Sequence, residues 1–287
     1  MAQQPTFDLA LLSHSRLNCW LTCPKQFYFA YIKEIPEQES SLPLLFGTAI
    51  HEAVTEFLGS LKKEPLTEAE VHGVFHRALT DQLEFAEVSG CPVRWINATQ
   101  EETIALGELM LTAFLVQVDR NITVVGTEVA FEFELGPGQI MRGGIDVILK
   151  DGEGKYRVID LKTSAKAYNE DSLKYDMQPT IYCEAIRKLY PDAREVSFEY
   201  WVLTKTKEPK FLVYPLTRGE REARELRELA EEYQISVLAE VFPRKRDWQC
   251  RWCSYQNICD NGEADKTLTT ERTETTEGEA ATALLAP

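Results

Sequence analysis

The chain has 287 residues, 44% of them hydrophobic and 10% aromatic, and carries a formal net charge of −15 at pH 7. That length and apolar content can bury a sizeable core in one large domain, while no uninterrupted apolar run approaches the roughly 20 residues a membrane span requires. The N-terminal run MAQQPTFDLALLSHSRL lacks the basic start and small-residue cleavage site of a signal peptide, so a cytoplasmic location with no membrane partner is expected.

From the N-terminus, Ser13 or Ser15 offers a cap for a helical region reaching about Ile32, with Leu17, Trp20, Leu21, Phe27, Tyr28 and Tyr31 as a broad apolar face. Pro24 interrupts it, which allows two short helices meeting near Cys23. A helix beginning near Phe46 carries GTAIHEAVTEFLGSL, and the chain then reads as mostly helical to about Val118, with a break at residues 89–95. Strand character follows at 123–135, 139–150 and 155–163, a helix at about 175–190, strands at 195–205 and 211–216, and a charged helix at 218–241. This order predicts an α/β fold with a mixed sheet.

The net charge argues at first against nucleic acid, which needs local positive potential. Part of the acid excess lies after Cys259, in a stretch rich in Thr, Glu and Ala without an aromatic residue, and residues 263–287 are expected to form a disordered acidic tail. Basic residues gather instead in TKTKEPK (204–210) and PRKR (243–246), and bound divalent cations would offset carboxylates in a site.

The segment RVIDLKTSAK (157–166) sets an Asp and a Lys two apart on a strand, so Ile159 and Leu161 share one face while Asp160 and Lys162 share the other. By itself this is an ordinary same-face ion pair. The preceding ILKDGEGKYRV has an acidic, glycine-rich turn that pairs 140–150 antiparallel with 155–163. If Lys150 faces Tyr156, then Asp146 sits opposite Asp160, and a slip of one residue would separate them onto different faces. Two carboxylates about 5 Å apart repel unless something positive lies between them. Lys162 and a hard cation such as Mg2+ or Mn2+ are the natural candidates: the cation would take carboxylate ligands and activate water, and the lysine would stabilise charge on a phosphate.

With FGTAIHEAV upstream, GGID and VIDLKT in the hairpin and MQPTIYCEA downstream, residues 13–260 resemble the PD-(D/E)XK nuclease superfamily. The likeness is to its branch containing the nuclease domains of the bacterial RecBCD and AddAB enzymes and the CRISPR-associated exonucleases. The family pattern falls on Gly47 and His51, Asp146, Asp160 and Lys162, and Gln178 and Tyr182. The resemblance implies His51, Asp146 and Asp160 as metal ligands for Mg2+ or Mn2+, and Asp146, Asp160, Lys162, Gln178 and Tyr182 as catalytic residues. Here the pair ends in D-x-K rather than the commoner E-x-K, which shortens one ligand. His51 alone would read as a core or capped histidine, Gln178 and Tyr182 as one helical face. Glu128 in GTEVAFEF is either an extra acidic group near the site or the polar side of an alternating strand.

Seven cysteines in such a chain are expected to be reduced, buried or metal-bound rather than paired. CRWCSYQNIC supplies Cys250, Cys253 and Cys259, an incomplete tetrahedral set whose spacing suits zinc and iron–sulfur equally. The resemblance implies Cys23 as the fourth ligand of a 4Fe–4S cluster, with structural Zn2+ as the alternative. Cys19, one helical turn away, is the competing choice, and Cys91 and Cys183 are expected to be buried. Trp248, Trp252 and Tyr255 could stack on bases or simply pack around the cysteines.

The fold implied is a restriction-endonuclease-like α/β core with a mixed central sheet flanked by helices. A helical insertion and an iron–sulfur staple joining the N- and C-terminal parts complete it. Residues 1–262 would form one RecB-like nuclease domain, with a helical elaboration at about 52–118, a catalytic core at about 123–216 and the cysteine cluster at 250–259. The activity implied is a metal-dependent DNA exonuclease on single strands or free ends, with a helicase or CRISPR adaptation proteins as further partners. The competing reading is a non-catalytic DNA-binding or assembly module with a structural metal centre.

Overall fold

The structure is a computed structural model and describes residues 8–37, 40–93, 95 and 99–261. The expected tail at 263–287 lies outside them.

A two-residue strand, β1 (Leu11–Leu12), leads into α1 (His14–Thr22), where the Ser13 hydroxyl accepts the Arg16 N–H at 3.2 Å as the N-cap. The helix stops at extended Cys23, and Pro24 opens the short α2 (Pro24–Phe27), followed by a π-helical turn over Tyr28–Ile32. Proline in a first turn loses no bond the helix would have made, so the chain re-enters helix at once but on a new axis.

Three longer helices follow, α3 (Leu42–Ser60), α4 (Glu68–Val88) and α5 (Gln100–Gln117), the first starting before the expected helical stretch at about 52–118. Reciprocal capping boxes start the last two, Thr67 with Glu70 and Thr99 with Glu102; loss of such a cap costs about 1 kcal/mol. Then come β2 (Val124–Gly136), β3 (Gln139–Gly152), β4 (Lys155–Ser164), a one-turn α6 (Glu170–Leu173), α7 (Gln178–Leu189), β5 (Glu195–Thr204), β6 (Phe211–Leu216) and α8 (Glu220–Leu238). A 3-10 turn (Trp248–Trp252) and α9 (Gln256–Asn261) complete the described residues.

The six strands form one mixed sheet. β3 pairs antiparallel with β2 on one edge and with β4 on the other, β4 runs parallel to β5, and β5 pairs antiparallel with β6. A parallel pair needs a crossover, and α7 supplies it between β4 and β5.

Alternation on β4 divides the core as its sequence requires. Ile159 and Leu161 pack with α3, α4 and α5 on one face, including Phe46, Ile50, Phe75 and Phe114. Tyr156 and Val158 face α7, α8 and the N-terminal helices on the other, with Ile181, Phe198, Tyr233 and Phe27. Among the described residues no helix is long and apolar enough to cross a membrane.

The edge of β3 facing β4 places the site. β1 pairs there with Ile140 and Met141, and β4 takes over only from Val147 onward. Among the described residues, the β3 run from Arg142 to Asp146 therefore has no strand beside it on that edge. This notch lies in the middle of the sheet, reached from β1, from the divergent end of β4 and from α3 above.

Candidate active site

Lys150 pairs with Tyr156, and the register continues through Leu149–Arg157 and Ile148–Val158 to Val147–Ile159, the register that sets Asp146 opposite Asp160. The ladder ends there. Beyond it the Asp146 Oδ2 accepts the Leu161 backbone N–H at 2.7 Å, so a side chain takes over where the neighbouring backbone has swung away. Asp146 also meets His51 of α3, Oδ2 to Nδ1 at 3.5 Å. Gly47, one turn earlier on α3, lies against Thr163; a Cβ there would stand 3.4 Å from its hydroxyl, so glycine eases this approach without being demanded by it.

Asp160 is 1% exposed. Its Oδ1 accepts from Gln178 Nε2 at 2.7 Å, and its Oδ2 stands 2.6 Å from Lys162 Nζ. That contact is an ion pair, and it is the contact that meets Oδ2, which has no further hydrogen bond of acceptable geometry. Gln178 opens α7, its own N–H bonded to Asp176 Oδ1 at 2.9 Å, and its amide also reaches the Tyr182 hydroxyl at 3.0 Å. Four residues apart on one helix, Gln178 and Tyr182 thus form a buried brace behind Asp160.

Burial dominates the electrostatics. It raises both carboxyls well above the usual carboxylate range; the Leu161 N–H and Lys162 oppose this at Asp146, and Lys162 opposes it at Asp160. Burial pushes the His51 imidazole down to about 4, so it is neutral at pH 7 and available as a ligand. Burial would also depress Lys162, but Asp160 overcomes it and holds the ammonium charged. A charged lysine and two carboxyls that resist ionisation are crowded together, an arrangement one further cation would relieve.

Glu128 of β2 falls between the Thr127–Val147 and Val129–Ile145 pairs, hence across from Asp146, and it adopts φ +51° in the middle of a strand. A non-glycine residue in that region is strained, and the strain turns an acidic side chain at the site's margin. Glu128, Asp146 and Asp160 therefore step across three neighbouring strands.

Sequence reasoning missed three residues, His14, Asp176 and Tyr200. His14, at the start of α1, stands 3.9 Å from Asp176, and Asp176 accepts the Tyr200 hydroxyl at 2.8 Å. Tyr200 lies beside Asp160 in the parallel register, and Lys162 Nζ is 5.8 Å from its ring centroid. Ser13 was legible as a cap, but only the β4–β5 register could have revealed Tyr200.

Among the described residues no three His, Cys, Asp or Glu side chains are already gathered around a common metal position. Asp146 and Asp160 are turned instead to Leu161, Lys162 and Gln178. The donor types nonetheless suit a hard divalent cation: two carboxylates, one of them with its buried Oδ2 met only by Lys162, and a neutral imidazole.

All seven cysteines are free of disulfides. Cys23, Cys250, Cys253 and Cys259 line one small cavity between α2 and the C-terminal segment, but among the described residues no three of them are gathered around a common metal position. Burial raises the Cys253 thiol, and Cys23, Cys250 and Cys259 raise it further. Cys19 is off this cavity, with its thiol pushed up to about 12 by burial and then by Cys23 and Cys253. Cys183 is buried as expected, but Cys91 is not; it is half-exposed in the loop after α4, its thiol donating to the Glu37 carbonyl. Tyr255 is 4% exposed, ring against Phe29 and hydroxyl on the Ile35 carbonyl, which excludes base stacking for it.

The family model of the PD-(D/E)XK nuclease superfamily matches residues 11–260. Two proteins of Streptococcus pyogenes, each named as one component of an ATP-dependent helicase/deoxyribonuclease, are similar over 186 residues: 23% identical in serotype M49 and 24% in serotype M6. Each match covers 63% of this chain but only 17% of the relative, so the chain spans about a sixth of those proteins. The solved structure of a provisionally named exonuclease from Eubacterium rectale shares the fold, at TM-score 0.54 and 14% identity over 88% of this chain and 90% of that one. The chain belongs to the PD-(D/E)XK nuclease superfamily.

Proposed function

We propose that this superfamily member is a DNA exonuclease dependent on Mg2+ or Mn2+, acting on single strands or free ends. One observation carries the reading: Asp146, Asp160, Lys162 and His51 converge on a notch in the sheet, with Gln178 and Tyr182 bracing Asp160 from behind. The names of the Streptococcus relatives and of the Eubacterium structure point the same way.

His51, Asp146 and Asp160 would hold the divalent ion, which supplies a water of lowered pKa and neutralises phosphate charge. The remaining work falls to the chain. Lys162, kept protonated by Asp160, places a cation at the notch for the phosphoryl oxygens as charge develops on them. Gln178 donates to Asp160 Oδ1 and so fixes the carboxylate's rotation, while Tyr182 fixes Gln178. Neutral His51 offers a lone pair rather than a competing charge.

Cys23, Cys250, Cys253 and Cys259 would hold a 4Fe–4S cluster, or Zn2+ as the alternative, whose contribution is a structural crosslink between the start of α2 and the C-terminal segment. Residues 1–262 would then act as one cytoplasmic nuclease domain. A helicase partner is favoured over CRISPR adaptation proteins by the relatives' names.

The test is cleavage of end-labelled single- and double-stranded DNA by the purified chain with Mg2+, Mn2+ or EDTA. Metal-dependent release of short products that disappears in Lys162→Ala is the expected result. Tight DNA binding without cleavage under every metal would favour the non-catalytic module.

A further inference from the structure

The C-terminal segment carries two tryptophans that the core does not use. Trp248 and Trp252 are 66% and 72% exposed, among the largest apolar groups facing solvent. They occupy the two ends of the 3-10 turn, which has three residues per turn. Cys250 and Cys253, three apart, therefore fall on one side, and both face the cysteine cavity. Trp248 with Arg251, and Gln249 with Trp252, are left on the other two sides. Turning the cysteines inward forces the indoles outward.

Their surroundings are basic, against the sign of the whole chain. Arg244, Lys245, Arg246 and Arg251 are all exposed within eight residues. Arg246 is paired with Asp260 and Lys245 donates to the Leu21 carbonyl at 3.3 Å, whereas Arg244 and Arg251 have no carboxylate at ion-pair distance among the described residues. In a protein of net charge −15, a cationic surface bearing two bare indoles fits one kind of partner best. Successive bases of a single strand stack on aromatic faces while arginines track the phosphates. A protein partner would need carboxylates placed to meet the guanidinium groups, one of which, Arg244, already lies within electrostatic reach of Asp260, whereas a phosphate backbone supplies negative charge at every nucleotide.

We propose that Trp248 and Trp252, with Arg244 and Arg251, form a docking platform for single-stranded DNA, separate from the notch at Asp146 and Asp160. The platform rests on the nuclease reading only for the identity of the nucleic acid. The four-sulfur cavity beneath the turn presents the platform, and the strand is held there while another part of it reaches the notch.

The experiment measures binding of a fluorescent thymidine 30-mer to the full chain without divalent cation, and hydrolysis of bis-p-nitrophenyl phosphate with Mn2+. The small ester reads the notch and is too short to reach the platform. Trp248→Ala and Trp252→Ala should each weaken binding on the order of tenfold, with ester hydrolysis and melting temperature unchanged, and Trp252→Phe should restore most of the affinity. Arg244→Gln and Arg251→Gln should each reduce the slope of log affinity against log salt by about 0.7. A blunt duplex, whose bases are already stacked, should be little affected by the tryptophan variants. Unchanged oligonucleotide affinity in a normally folded double tryptophan variant overturns the platform, as does an equal loss for duplex. Wild type that binds through the tryptophans yet hydrolyses neither ester nor DNA would sink the nuclease reading and leave the platform intact.

Discussion

The carboxylate of Asp146 accepts the backbone N–H of Leu161 at 2.7 Å, just past the last β3–β4 pair. This one bond satisfies a donor that the parting strands would leave unmet, and it points Asp146 at the partner strand carrying Asp160. Structure and proposed chemistry meet in the same oxygen, which also faces His51.

Asparagine and alanine at position 146 should therefore separate the two roles. Asp146→Ala leaves the Leu161 N–H unsatisfied, at about 1–3 kcal/mol, whereas Asp146→Asn keeps an acceptor and should lose about 1 kcal/mol or less. Both should lower DNA hydrolysis by about a thousandfold or more, roughly 4 kcal/mol of transition-state stabilisation. Urea melts beside the nuclease assay check this; an asparagine variant as unstable as alanine would mean that the bond is not what holds the strands.

Lys162→Ala should abolish cleavage and also destabilise the fold, because it strips the charge partner from a carboxyl that is almost wholly buried. With Lys162 partly exposed, about 2 kcal/mol at pH 8 is expected. The folded pKa of Asp160 already lies above its unfolded value, and losing Lys162 raises it further. Stability is thus lost as pH rises through the folded pKa, so the deficit should shrink between pH 8 and pH 6 as Asp160 takes up a proton. A deficit that grows on acidification would contradict this assignment.

Without metal, the wild type should gain stability as pH falls from 8 toward 6.5, since Asp146 and Asp160 both bind protons more readily folded than unfolded. Below 6.5 the sign of one contribution changes: His51, with its folded pKa near 4, is protonated only on unfolding and costs stability. Mn2+ competes with those protons, so its stabilisation should be larger at pH 8 than at pH 6. At a hundred times its dissociation constant the gain is about 2.7 kcal/mol. Melting curves across pH, with and without Mn2+, test it, and a metal effect independent of pH would count against carboxylate ligands.

The cysteine assignment predicts a difference between neighbours. Cys23→Ala should purify without the brown colour of an iron–sulfur protein and melt well below wild type. The proposed clip closes a loop of over two hundred residues, on the order of 5 kcal/mol by analogy with a disulfide. Its effect on cleavage should pass through α1, whose first residue His14 stands by Asp176 and within electrostatic reach of Lys162. Cys19→Ala, off the cavity, should keep colour and activity. A coloured, stable Cys23→Ala protein would refute the clip; a colourless wild type prepared without oxygen and carrying zinc would change only its occupant.

The hairpin and the two faces of β4 were legible from the residues, because alternation and an acidic glycine turn are local; the register that sets Asp146 opposite Asp160 was one of two open choices until the Lys150–Tyr156 pairing fixed it. Helix spacing likewise put Gln178 and Tyr182 on one face, and thiol-rich CRWCSYQNIC announced a ligand set in search of a fourth member. What these groups meet depended on the folded chain. β1 is two residues long and carries no periodicity to read, yet its pairing with Ile140 and Met141 defines one wall of the notch. His14 and Tyr200 reach Asp176 from residues distant in the chain, through a parallel crossover that local patterns do not encode. Cys23, implied by the family resemblance, lies where α1 stops and Pro24 opens α2, and it lines the cavity shared with the C-terminal thiols, while Cys19 stays near Cys253 without lining it.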